Sequence, residues 1–181
     1  MNASLPLTPE RIYLTDGGLE TTLIFHDKID LPCFAAFDLL KDEAGRETLR
    51  KYYRRYADLA VESKCGFIFE SPTWRASRDW GAELGYSADR IAAFNREAIE
   101  MMNSIRKDYE NAESPMVVSG NIGPRGDGYV AGQQMTIDES RQYHQHQADA
   151  LVDAGADLIT AITIPYVNEA IGIVKACLLY T

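Results

Sequence analysis

The sequence contains no uninterrupted apolar run long enough to cross a bilayer, so no membrane span is expected. It is also short of positive charge. Eighteen Lys and Arg stand against 27 Asp and Glu, for a net charge of -9. Nucleic acids and anionic membrane surfaces need clustered Lys and Arg, so neither is expected as a partner. Cysteine is scarce: Cys33, Cys65 and Cys177 are odd in number and far apart. Free thiols in a reducing compartment fit that pattern better than a disulfide framework, and the cytoplasm is the expected location. Met1 to Glu10 lacks a basic n-region and a long apolar h-region, so no secretory signal is expected.

What is present is ordinary for a globular protein. The chain has 181 residues, 46% hydrophobic and 25% charged, enough for one domain with a real core. Its organising stretch is Ile12-Tyr13-Leu14-Thr15-Asp16-Gly17-Gly18-Leu19-Glu20-Thr21-Thr22-Leu23. A short apolar run stops at an acid, and two glycines allow a sharp turn. In parallel α/β folds the carboxyl ends of strands are where ligands bind.

The pattern continues as alternating strands and helices. The first strand is Ile12 to Thr15. A broken segment around Leu31-Pro32-Cys33 reads as loop and a short helical turn. A helix from about Glu43 to Ser63 carries Leu49, Tyr52, Tyr53, Tyr56, Leu59 and Ala60 on one stripe. Phe67-Ile68-Phe69 is a buried strand that stops at Glu70-Ser71-Pro72. Thr73 to Tyr86, with Trp74 and Trp80, is a partly helical excursion. Ser87 caps a second helix, and Met116 to Gly120 forms the third strand. A glycine-rich loop from Asn121 to Tyr129 leads to Thr136-Ile137-Asp138-Glu139, a capping box that opens a third helix. Gly155 stops that helix. Asp157 to Thr163 is the fourth strand, Pro165 breaks it, and a fourth helix begins at Asn168 and runs to Cys177.

This βαβαβαβα order predicts a parallel sheet with right-handed crossovers. Two architectures compete: a doubly wound sheet, and part of a β/α barrel. A complete barrel takes about 250 residues, so four βα units make half of one. On either architecture the strand ends face one side. They bring Asp16, Glu70, Ser71, Ser119, Asn121 and Thr163 to a common rim. Carboxylates there suit an ammonium, and hydroxyls and loop amides suit a carboxylate. The rim is therefore expected to hold a small zwitterion. The bland alternative is that Asp16 and Glu70 cap neighbouring loops.

Other motifs carry less. His144 and His146 are set about 200° apart on a helix and read as solvated residues rather than a metal pair. His26 reads as a loop residue. Arg125-Gly126-Asp127 reads as part of the rim loop, and Asn2-Ala3-Ser4 as an unused sequon. The Gly123 to Gly128 loop lacks the Gly-Lys-Ser/Thr ending of a phosphate-binding P-loop. The tyrosines of the first long helix have the spacing of a core contact.

Three segments resemble the homocysteine S-methyltransferase family: Leu14 to Thr21, the Gly-x-Ile-Gly-Pro stretch Ser119 to Gly126, and Ala150 to Thr160. The resemblance implies the amino-terminal half of a TIM (β/α)8 barrel, with residues 1–181 as one partial homocysteine-binding-type domain, truncated at its carboxyl end. It implies methyl transfer to a zinc-activated thiol, giving methionine, because a metal keeps the sulfur deprotonated and nucleophilic. It implies that Asp16 contacts the amine of homocysteine, with Gly17 giving close backbone approach. Three departures stand out. The Gly-Gly-Cys-Cys context of the family's zinc ligands does not occur in this sequence, so no residue is assigned to metal and no zinc is expected on this chain. Ile162 stands where the family often has an acid, with Glu70 available in its place. Glu20-Thr21-Thr22 replaces the common Gly-Thr-Glu. These mark a divergent member whose small-molecule substrate need not be homocysteine, and a chain expected to be inactive alone. A non-catalytic amino-acid-binding half-barrel and a non-functional fragment are the alternatives. Open sheet edges predict self-association.

Overall fold

The computed structural model describes residues 7–8 and 10–178. The Asn2-Ala3-Ser4 sequon and the final Leu179-Tyr180-Thr181 lie outside them. Four strands, β1 (Tyr13–Thr15), β2 (Gly66–Glu70), β3 (Met116–Ile122) and β4 (Leu158–Ala161), form one parallel sheet in the order β1-β2-β3-β4. In a doubly wound sheet the strand order reverses at a switch point. Here each strand lies beside its predecessor, as successive same-handed crossovers in a barrel require.

Register sorts the side chains between two faces. Phe67 and Phe69 sit two apart and share a face. Both are fully buried, and Phe69 meets Tyr53 at a ring separation of 6.2 Å. That is the helix face. Ile68 and Glu70 take the opposite face. Glu70 pairs with Ser119, and Asn121 pairs with Thr160, so these four polar residues share the inner face near the carboxyl ends.

The helices follow their sequence signals. In α2 (Glu43–Glu62), the Asp42 carboxylate accepts from the Gly45 amide at 2.8 Å, and Leu49, Tyr52, Tyr53, Ala57 and Ala60 are buried. Leu59, expected on that stripe, is half exposed. Ser87 caps α4 (Ala88–Tyr109), and Thr136 with Glu139 forms the capping box of α5 (Ile137–Asp153). Gly155 ends α5 with φ +90°, a conformation glycine adopts freely. α6 (Val167–Cys177) follows β4. Among the described residues no helix is long and apolar enough to cross a membrane.

Several stretches depart from the sequence expectation. Leu19–Thr21 is helical (α1) and runs into a π-helical turn, Thr22–His26, so His26 ends a helical turn rather than lying in a loop. Residues 32–34 and 36–41 form 3-10 turns, and the excursion after β2 holds one short helix, α3 (Arg78–Glu83). β3 extends to Ile122, and β4 stops at Ala161, before Thr163. His144 is not solvated. It is fully buried between α5 and α6, with Nε2 3.0 Å from Glu169 Oε1, while His146 is exposed. The 200° separation placed the two rings on different faces; it did not tell which face α6 would cover.

Candidate functional site at the strand carboxyl ends

Asp16 leaves the end of β1 and points at Tyr52 of α2. The Tyr52 hydroxyl donates to Asp16 Oδ2 and to the Gly17 carbonyl, both at 3.0 Å. Burial pushes the Asp16 carboxyl up to about 7. The Tyr52 hydrogen bond opposes that shift, while the charges of Glu70 and Glu20 add to it. A Cβ at Gly17 would stand 2.7 Å from the Tyr56 hydroxyl, so the tip of that ring would have to shift.

Glu70 ends β2. Its Oε1 accepts from Thr160 at 3.1 Å, and its Oε2 is buried with no partner. Burial raises the Glu70 carboxyl, against the hydrogen bonds of Ser119 and Thr160. Thr160 donates to Glu70, and its hydroxyl lies 2.8 Å from that of Ser119, which also bonds the Glu70 carboxyl. A count of protons settles Ser71. Thr73 donates to the Asn121 carbonyl at 2.7 Å, so Ser71 must donate to Thr73, and Ser71 Oγ accepts from the Asn121 amide at 3.0 Å. Both hydroxyl relays hold strand ends together and leave no hydroxyl proton free.

The result is a cavity of about 570 Å³, within the usual range for small-molecule sites. Asp16, Gly17, Glu70, Ser71, Asn121 and Thr163 line it, as does Ile162. Ser119 does not line it; it lies fully buried behind Glu70. Asn121 Oδ1 is buried without a partner. Thr163 has φ +57° and accepts from Trp74 Nε1 at 3.1 Å, which seats the tryptophan at the cavity wall. Sequence reasoning missed Glu20, Phe34, Trp74, Arg75, Asp127 and Tyr129, all of which line the cavity. Glu20 lies in α1, a turn too short to show a helical period in the sequence. Burial raises its carboxyl too, partly offset by Arg75.

The cysteines do not gather here. Cys65 precedes β2 and Cys177 ends α6, so both sit toward the amino ends of the strands. Cys33 is exposed. All three are free. Among the described residues no group of three or more His, Cys, Asp or Glu is arranged to hold a metal ion. This donor set does not fit zinc.

A sequentially ordered parallel βα sheet with an acidic cavity at its carboxyl rim is a partial α/β barrel of the ligand-binding kind. Comparison with known proteins agrees. The family model described as homocysteine S-methyltransferase matches residues 13–180, and the chain belongs to that family. Homocysteine S-methyltransferase of Escherichia coli (strain K12) is 27% identical over 175 residues, covering 90% of this chain and 53% of the relative. Selenocysteine Se-methyltransferase of Brassica oleracea var. italica is 23% identical, over 87% of this chain and 49% of that protein. The homocysteine methyltransferase MmuM of Escherichia coli, in its metallated form, superposes with a TM-score of 0.75 at 18% identity, over 96% of this chain and 60% of that one. The oxidized form gives the same TM-score at 21% identity. The fold is thus part of that enzyme's TIM barrel. The chain spans about half the length of the curated relatives it matches.

Proposed function

We propose that the rim cavity binds a thiol-bearing α-amino acid of the homocysteine type. On this reading residues 1–181 supply the amino-acid-recognising part of a site for methyl transfer to sulfur, giving methionine. Asp16 carries the argument. It is a carboxylate at the end of β1, oriented by Tyr52 and facing a cavity that it shares with Glu70. An ammonium seated there would satisfy Asp16 and the unpartnered Glu70 Oε2 together. In the full-length family zinc would supply the activation of the thiol. The described residues offer it no ligand set, so no step of the reaction is assigned to them.

The polypeptide of residues 1–181 is therefore expected to bind without turning over. Calorimetry with homocysteine should give saturable binding that Asp16→Asn abolishes, and incubation with zinc, homocysteine and methyl donors should give no methionine above background. Turnover would overturn the assignment of chemistry elsewhere. The lack of a metal donor set favours a second reading, a binding module without chemistry. A panel of amino acids separates the two: equal affinity for amino acids without a thiol supports the module. No binding of any amino acid would leave a non-functional fragment.

A further inference from the structure

Arg75 is a buried cation with no counter-ion. It is only 7% exposed. Its guanidinium carbon lies over two indole rings, 4.0 Å from the Trp74 ring centre and 3.8 Å from that of Trp80. One N–H of the fork donates to the Gly126 carbonyl at 2.8 Å. Nε is buried with no acceptor. Among the described residues no carboxylate oxygen comes within 4.0 Å of its nitrogens; Asp127 and Glu20 act on it only from longer range. Buried arginines are almost always paired, because an uncompensated charge in a protein interior is costly. Two indole rings attract the charge but accept none of the in-plane N–H hydrogen bonds of the guanidinium.

Arg75 lines the cavity that holds Asp16 and Glu70. We propose that Arg75 is the carboxylate anchor of this site. Its fork receives the α-carboxylate of an amino acid whose ammonium goes to Asp16. The inference rests on the amino-acid reading of the cavity and adds to it the residue that recognises the opposite end of the ligand. The charge balance of the cavity chooses the ligand class. Asp16, Glu20, Glu70 and Asp127 line the same space, and they repel a free dianion such as phosphate. A ligand that brings a positive charge with its carboxylate is attracted at both ends. The planar fork of a guanidinium favours a planar, bidentate acceptor.

The protein itself supplies the probe, because Trp74 and Trp80 are its only tryptophans. Fluorescence of the wild type and calorimetry of the wild type, Arg75→Met and Arg75→Lys should be measured with four ligands. These are homocysteine, 4-mercaptobutanoate (no ammonium), 3-aminopropane-1-thiol (no carboxylate) and inorganic phosphate. Homocysteine and 4-mercaptobutanoate should each perturb the tryptophan emission saturably. Their affinity should fall roughly tenfold or more in Arg75→Met, with partial recovery in Arg75→Lys. Binding of 3-aminopropane-1-thiol should be unaffected by either variant. Circular dichroism and melting of both variants confirm that they are folded; Lys keeps the charge and most of the stem if Met does not fold. Homocysteine affinity equal in wild type and Arg75→Met would overturn the assignment while leaving the amino-acid site intact. Binding of 4-mercaptobutanoate that depends on Arg75, without binding of homocysteine, would keep the anchor and remove the amino-acid reading. Phosphate binding more tightly than either carboxylate would overturn the assigned ligand class. No response to any probe would overturn both.

Discussion

The Tyr52 hydroxyl hydrogen is shared between Asp16 Oδ2 and the Gly17 carbonyl, 3.0 Å from each. One donor thus fixes both the side chain and the backbone of the turn after β1. Tyr52→Phe removes the only hydrogen bond that restrains the upward shift of Asp16 from a side chain. The Asp16 carboxyl should then titrate above its wild-type value of about 7. The stability loss should be about 1 kcal/mol. Carboxyl-carbon NMR titration of Asp16 checks the first, and urea denaturation the second. An unchanged titration midpoint would mean that Tyr52 does not restrain the group.

Asp16 also makes stability depend on pH. Its carboxyl rises from 3.8 to about 7 on folding, so the native state holds the proton more tightly. The stabilisation is fully present below pH 3.8 and is lost as pH rises through about 7. At about 1.4 kcal/mol per unit, the ionised group costs on the order of 2–4 kcal/mol above that range. Asp16→Asn should therefore melt higher than wild type at pH 8, with the gap closing toward pH 4. The same variant should lose ammonium binding, so stability and recognition move in opposite directions.

Glu169 joins three elements. Its Oε1 accepts from the Arg125 amide at 2.8 Å and contacts His144 Nε2 at 3.0 Å, at 1% exposure. Glu169→Ala strands both partners and should cost roughly 3 kcal/mol. Glu169→Gln keeps an acceptor oxygen and should cost roughly 1 kcal/mol. Amide exchange across residues 124–130 should speed up in the Ala variant, because the rim loop loses its tie to α6. A loss confined to global stability, with exchange of that loop unchanged, would separate the pair from the site.

Val167, Ile171 and Val174 are exposed at three- and four-residue steps along α6, and among the described residues β4 is an edge strand of the sheet. The polypeptide of residues 1–181 should self-associate through that side. Ile171→Lys with Val174→Lys should shift it toward monomer in sedimentation velocity. Equal distributions for wild type and the double variant would place any association elsewhere.

Much of the architecture was legible because it rests on periodicity and caps. The stripe of α2, the Ser87 cap and the Thr136–Glu139 box are local signals, and local physics sufficed. The strand ends that carry Asp16, Glu70 and Asn121 were legible for a similar reason: parallel strands stop on one side. His144 and Arg75 were not. Whether a helical histidine is wet depends on what α6 covers, and whether an arginine lacks a counter-ion depends on residues 50 positions away. The α1 turn was missed because Leu19-Glu20-Thr21-Thr22 is too short to show a helical period.

The hydroxyl relays at the strand ends have a chemical consequence for selectivity. Ser71, Ser119, Thr73 and Thr160 have already committed their protons within the protein. Among the carboxyl and amide oxygens on this side of the cavity, Glu70 Oε2 and Asn121 Oδ1 have no partner, and Asp16 lies beside them. The wall is a set of lone pairs waiting for hydrogens. A primary ammonium brings three. A fully alkylated onium group carries the same charge and brings none, and it would leave each buried acceptor unmet at roughly 1–3 kcal/mol. On the amino-acid reading of the cavity, two cations of equal charge are told apart by their hydrogens.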